Sequence, residues 1–232
     1  MAILVSDSLS GALDTMRRNL TEHDARRLLV PGPLVLITTA WRSQSDVMPC
    51  AWTMPLSSEP PLVGVAVHSS RHTLDMLRFS EEFALNIPGP SLMNFAQYFG
   101  SVSGKDTDKF DAAKLPTFNA RKVSPVLLDG CVAWIECGVE DIIRIGDHHL
   151  VVGRVMAVSA DDEAYDEQMW TLRDGAEKPL HYLGGSSYAT LGQKLEARAP
   201  EPAGADEAQR EADERRQEAA YEQERHGDNE PR

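Results

Sequence analysis

The strongest constraint on this chain is the spacing of its β-branched and aromatic runs. Residues 34–42 (LVLITTAWR) form one such run, and Ser43, Gln44, Ser45 and Asp46 follow as a polar turn. Residues 47–54 return as the hairpin partner. Pro60-Pro61 opens a buried-looking strand over 62–68, and 83–87 is another short strand. A long strand is expected over 129–144, with Cys131, Ala133, Ile135 and Cys137 on one face by alternation. Gly146-Asp147 is a turn signal before a further strand over 148–158, and 183–188 (LGGSSY) closes the folded part. Helical patterns interrupt the series at 73–79 and 90–99, and the polar stretch 104–110 reads as a loop. Strict alternation of strand and helix is absent. The pattern therefore argues against a doubly wound parallel sheet and for a mainly β fold, an antiparallel barrel with inserted helices.

The two ends differ from this middle. Leu13, Met16, Leu20 and Leu28 recur at roughly helical spacing, which predicts an amphipathic helix over 9–30 that Pro31-Gly32-Pro33 ends. From Glu196 to Arg232 there are twelve acidic and six basic residues and no Leu, Ile, Val, Phe, Trp or Met. Such a segment has too little apolar surface to offset its ordering entropy, so a solvated, disordered tail is expected. The organisation expected is a helical extension over 1–32, a barrel domain over 33–192 and an acidic tail over 193–232. The acidic stretch carries six of the thirteen net negative charges, and the rest of the chain remains acidic. That argues against nucleic acid, which needs a basic footprint, but not against an anionic ligand in a local positive pocket.

Three cysteines, Cys50, Cys131 and Cys137, suggest a reducing compartment rather than a disulfide scaffold. There is no basic region followed by an apolar run at the N-terminus, and no stretch approaches about 18 uninterrupted apolar residues. A cytoplasmic protein without membrane or nucleic-acid partners is the expectation.

Four segments could carry chemistry. His68-Ser69-Ser70-Arg71-His72-Thr73 lies between a strand and a helix. Backbone N–H groups at a helix start favour an anion, Ser69, Ser70 and Thr73 add hydroxyls, and Arg71 can grip a phosphate with two donors. The same residues would also serve as an ordinary capping cluster. Met48-Pro49-Cys50-Ala51-Trp52-Thr53-Met54 offers small, thioether and hydroxyl side chains, suited to an apolar wall for a ring, or to a plain packed strand. Residues 101–110 (SVSGKDTDKF) contain neither a GxGxxG nor a Walker lysine. In Gly146-Asp147-His148-His149 the adjacent histidines point to opposite faces, so they do not share a metal easily. No HExxH or paired-cysteine spacing exists, and no metal site is expected. No nucleophile elbow stands out either. A chain without an evident acid, base or nucleophile suits a cofactor that performs its own redox chemistry.

In order along the chain, these segments resemble the flavin reductase-like, FMN-binding split-barrel family that includes the flavoredoxins. The resemblance runs from about Pro33 to Tyr188. It is carried by the strand at 34–39, by 46–52, by Glu59-Pro60-Pro61-Leu62-Val63, and by Arg71-His72-Thr73. It continues through 82–88 (EFALNIP), 103–110 (SGKDTDKF), Gly146-Asp147-His148 with Val152-Gly153, and Leu183-Gly184-Gly185 with Tyr188. The resemblance implies a six-stranded, partly open Greek-key barrel and a homodimer with FMN near the subunit interface. Met48 and the stretch Cys50, Ala51, Trp52, Thr53 and Met54 would line the flavin. Ser69, Arg71 and Thr73 would hold its phosphate, and Asn86, Ser103, Lys109 and Phe110 would approach the ring or phosphate. His148 matches the position that sits near the nicotinamide in reductase members, and is the candidate catalytic residue. The chain departs from the family's pattern at Asp46, Ala51 and His72, where Asn, Ser and an aromatic are frequent. Ala51 has no hydroxyl for the flavin, so that contact falls to backbone or to Thr53.

The function this implies is a flavin reductase, an oxidoreductase passing electrons from NADH or NADPH to flavin, with a monooxygenase or other redox protein as a partner. The alternative is a flavoredoxin-type electron carrier with tightly held FMN and a protein redox partner. A non-redox binding module is the third reading.

Overall fold

The computed structural model describes residues 32–166 and 169–197. The expected N-terminal helix and the acidic tail beyond residue 197 lie outside the described residues. None of the described helices is long and apolar enough to cross a membrane.

The chain runs through strands β1 (Val35–Trp41), β2 (Gln44–Cys50), β3 (Thr53–Ser58) and β4 (Pro61–His68), then helix α1 (His72–Ser80) and strand β5 (Glu82–Pro88). A 3-10 turn at Pro90–Leu92 leads into α2 (Met93–Ser101), followed by the short α3 (Lys109–Ala113) and the two-residue strands β6 (Thr117–Phe118) and β7 (Leu127–Leu128). The long hairpin β8 (Cys131–Ile145) and β9 (His148–Ala160) and a final hairpin, β10 (Leu180–Gly184) and β11 (Ser187–Thr190), complete it.

Seven strands form one antiparallel sheet in the order β2-β1-β5-β8-β9-β4-β3. Its two edges, β2 and β3, are consecutive in the chain, with only Ala51 and Trp52 between them. Chain continuity therefore requires the sheet to roll until its edges meet. They do so at a seam where Ala66 N donates to Trp52 O at 2.9 Å and Cys50 Sγ lies 3.7 Å from Ala66 O. The result is a barrel split along that seam. The hairpin partner expected over 47–54 is thus two strands. The ladder of β2 with β1 ends at Val35↔Cys50, and β3 pairs instead with β4 from Thr53↔Val65.

Alternation on β1 divides the interior. Val35 and Ile37 point into the barrel with Val65, Val67, Phe83, Leu85 and Val151. Leu34 and Leu36 point the other way, with Val47, and are covered by Ala96 and Phe99 of α2. Phe83 fits because a glycine faces it: a Cβ on Gly153 would lie 2.4 Å from Phe83 Cζ. The expected single face of β8 is interrupted. Ala133 and Cys137 join the barrel interior while Cys131 joins the outer cluster, because the register with β5 slips between Ile87 and Pro88. The stretch 104–110, expected as a loop, ends in a helix start: Asp108 accepts from Phe110 N and Asp111 N, both at 3.0 Å, and caps α3.

Candidate functional site

The seam opens into a cleft of about 550 Å³, a size within the range of small-molecule sites. Met48 and Cys50 at the end of β2 make one wall, and the Ala51-Trp52 link continues it. The ends of β4 and β9 add His68 and His148, α2 adds Gln97 and Ser101, and the β10–β11 hairpin adds Tyr182 and Tyr188. The wall presents comparable apolar and polar surface, and exposed polar groups such as Arg71, Gln97 and Ser101 sit at its rim.

The rim groups are held by neighbours. The His148 ring stacks on Trp52 at 4.7 Å between centroids and meets His68 edge-on at 5.0 Å. His148 Nδ1 lies 2.7 Å from Asp147 Oδ1, which leaves Nε2 available to the cleft. That bond holds the Asp147 carboxyl below its usual range. Tyr188 donates to Gln97 Oε1 at 2.7 Å, tying the last hairpin to α2. Burial raises the Tyr188 phenol, with Tyr182 adding to it. Burial also pushes the Cys50 thiol up to about 11, so it stays protonated near neutrality and acts as wall rather than nucleophile.

A second, polar pocket of about 210 Å³ adjoins the cleft and shares Met48, Arg71, Gly100 and Ser101 with it. It sits at the start of α1, where Arg71 is the N-cap residue and makes no side-chain cap bond. Arg71 is exposed and no described residue pairs with its guanidinium. His72 Nδ1, also lining this pocket, is buried without a hydrogen-bond partner among the described residues. Below it, Lys109 Nζ lies 3.1 Å from Asp46 Oδ1 and donates to Val47 O at 2.6 Å, while Thr73 Oγ1 donates to Asp46 Oδ2 at 2.6 Å.

The structure brings together Met48, Cys50, Ala51, Trp52, Arg71 and His148 around the cleft, and Arg71, Thr73, Ser103 and Lys109 around the polar pocket. Five expected residues stand elsewhere. Thr53 and Met54 belong to β3, past the seam: Thr53 Oγ1 reaches Pro33 O at 3.5 Å, and Met54 is 51% exposed. Ser69 Oγ donates to Asp147 O at 2.8 Å, tying the loop before α1 to the β8–β9 turn. Asn86 is fully buried, donates to Leu36 O at 2.8 Å and accepts from Leu128 N at 2.8 Å, so it braces β5 against its neighbours. Phe110 packs on the outer apolar cluster. Sequence reasoning did not assign Gln97, Tyr182 or Tyr188 to a site. Only the Gly184-Gly185 punctuation hinted at the hairpin, where both glycines adopt positive φ, 124° and 61°. Asp46, read as part of a turn, is buried in β2.

The site suits a planar ring joined to an anionic group: a partly apolar wall, then a cationic pocket at a helix start. Residues 26–191 match the family model for the flavin reductase like domain. The protein YddH of Escherichia coli (strain K12) is 32% identical over 179 residues, 75% of this chain and 95% of its own length. An NADH:FMN oxidoreductase of Rhodococcus erythropolis is 30% identical over 141 residues, 60% of this chain and 66% of its own. Among solved structures, an FMN-binding protein from Thermus thermophilus with bound 1-cyclohex-2-enone superposes with a TM-score of 0.67 at 26% identity, covering 78% of this chain and 98% of that one. With the family match spanning the whole split barrel and both pockets, this chain belongs to the flavin reductase-like family of FMN-binding split barrels, which includes the flavoredoxins.

Proposed function

We propose that this protein binds FMN in the seam cleft and transfers electrons to it from NADH or NADPH. The observation that carries this reading is the continuity of the two pockets through Arg71. An isoalloxazine ring fits the wall of Met48, Cys50, Ala51 and Trp52, and the phosphate fits the polar pocket, where Arg71 offers two parallel donors. The unpartnered His72 Nδ1 and the uncapped start of α1 favour an anion at the same place. Bound FMN would supply the redox chemistry itself. The chain's residues bind and orient. Trp52 and Asp147 hold His148 in place at the cleft rim, where its Nε2 can position the nicotinamide donor or carry a proton. Because Ala51 lacks a hydroxyl and Thr53 points to Pro33, the flavin's polar edge would be met by backbone at the seam. We read the functional form as a homodimer delivering electrons to a monooxygenase or other redox protein.

The test is purified protein titrated with FMN, followed by nicotinamide oxidation measured against free flavin. Saturable FMN binding and oxidation of NADH or NADPH above the free-flavin rate are expected. Absence of flavin binding would sink the whole reading. Tight FMN binding without nicotinamide oxidation would leave the flavin site standing and replace the reductase by an electron carrier reduced by a protein donor.

A further inference from the structure

We infer that Asp46 is a specificity-determining residue of the polar pocket: by neutralising Lys109 it limits how strongly the site prefers a phosphorylated flavin over one without its phosphate. This inference rests on the flavin reading above. Both members of the pair line the pocket, and both are almost completely buried, Lys109 at 3% and Asp46 at 2% exposure. The ammonium is already engaged, by Val47 O at 2.6 Å and by Asp46 Oδ1 at 3.1 Å. Asp46 accepts the Thr73 hydroxyl through Oδ2, so that hydroxyl is engaged as well. Oδ1 touches the ammonium outside hydrogen-bond alignment, which leaves an acceptor-only oxygen at the pocket. An acceptor cannot donate to a phosphate, and its charge repels one.

Among the described lining residues the lysine and arginine charges are those of Arg71 and Lys109, and Asp46 cancels one of them. One net positive charge then faces a group that carries roughly −1.5 to −2 near neutral pH. The backbone enforces the arrangement, because Gly104 lies so close that a Cβ there would fall 2.4 Å from Asp46 Oδ1. Asp46 is therefore packed closely between the pocket and the Gly104 backbone. Phosphate recognition is left chiefly to Arg71.

The experiment compares FMN and riboflavin affinities, by flavin fluorescence quenching, for the wild-type chain, Asp46→Asn, Lys109→Met and the double variant. Asp46→Asn keeps an acceptor for Thr73 and removes the negative charge. Its FMN-to-riboflavin preference should rise at least about tenfold, the worth of one added charged hydrogen bond. Lys109→Met should lower the preference by a similar factor. The double variant removes a mutually compensated pair and should match wild type. A preference unchanged in both single variants overturns the inference while FMN binding itself survives. If a single variant fails to fold, the double variant decides: a preference about tenfold below wild type would mean Lys109 contributes net charge, and overturns it. Wild-type protein that binds neither flavin overturns the flavin reading and this inference with it.

Discussion

Trp52 and His148 stack face to face, 4.7 Å apart at 23°, although 96 positions of sequence separate the seam link from the start of β9. In the proposed function the contact joins the wall that would hold the flavin to the histidine that would meet the nicotinamide donor. Trp52 is 38% exposed, so its removal disturbs the cleft more than the core. Trp52→Ala should raise the KM for the nicotinamide donor with little change in kcat, by an amount equivalent to an aromatic pair of about 0.5–1.5 kcal/mol. Trp52→Phe should restore most of it. Steady-state kinetics at saturating FMN give the answer, and an unchanged KM in Trp52→Ala would separate this pair from donor binding.

Arg71 has no described partner to lose, so its replacement reads ligand binding rather than folding. Arg71→Ala should weaken FMN by roughly 1.5–3 kcal/mol, the range for hydrogen bonds to a charged group, and leave riboflavin nearly unaffected. Equal losses for both flavins would put the phosphate somewhere else.

Local signals carried much of this molecule. The runs expected as strands at 34–42, 62–68 and 83–87 are strands at 35–41, 61–68 and 82–88, because a pleated, half-buried surface suits their β-branched and aromatic side chains. The Ser-Arg-Thr cluster at the start of α1 suggested an anion site or a capping cluster from its residue types, and Arg71 and Thr73 do line the polar pocket. What stayed hidden depends on partners far along the chain. Nothing in Met48–Met54 marks the break at Ala51-Trp52; the seam arises only when β4 arrives to pair with β3. Asp46 reads as a turn residue because the lysine that makes its burial tolerable is Lys109, 63 positions later. The Tyr188–Gln97 bond spans 91 positions, and no periodicity in either segment reports it.

Asn86 illustrates the same limit and yields a test. Its side chain donates to Leu36 O at 2.8 Å and to Thr38 Oγ1 at 3.2 Å, and accepts from Leu128 N at 2.8 Å. Asn86→Ala leaves the Leu128 N–H buried without an acceptor, a loss of about 1–3 kcal/mol before any cavity term. Chemical denaturation should show this loss, while FMN affinity of the folded fraction stays at the wild-type value. A variant of native stability that binds FMN poorly would assign Asn86 to the flavin instead.

Gly153 is required by Phe83. A methyl group there would fall 2.4 Å from Phe83 Cζ and 3.2 Å from Cys137 Cβ, inside the barrel. Gly153→Ala should therefore cost about 1–3 kcal/mol through overpacking. Combining it with Phe83→Leu should recover part of that loss, since the two side chains would no longer compete for one volume. Additive losses in the double variant would mean that the strain lies in the backbone and not at this contact.

The three cysteines give the stability a defined alkaline limit. All three are free and buried. Burial raises Cys50 to about 11 and Cys137 to about 12, and raises Cys131 further, whereas an unfolded thiol ionises near 9.0. The folded state thus favours the protonated thiols. Their contribution is complete below pH 9, and it is lost as the pH rises through 9 towards 11 and 12, because the unfolded chain releases protons that the folded chain retains. Other groups titrate in the same window, so the informative quantity is a difference between variants. Denaturation free energies of wild type and Cys50→Ala, measured from pH 8 to pH 10.5, should converge as the pH rises, with the shallower slope in the variant. Parallel slopes would mean that the Cys50 thiol titrates in the folded protein as it does in the unfolded chain.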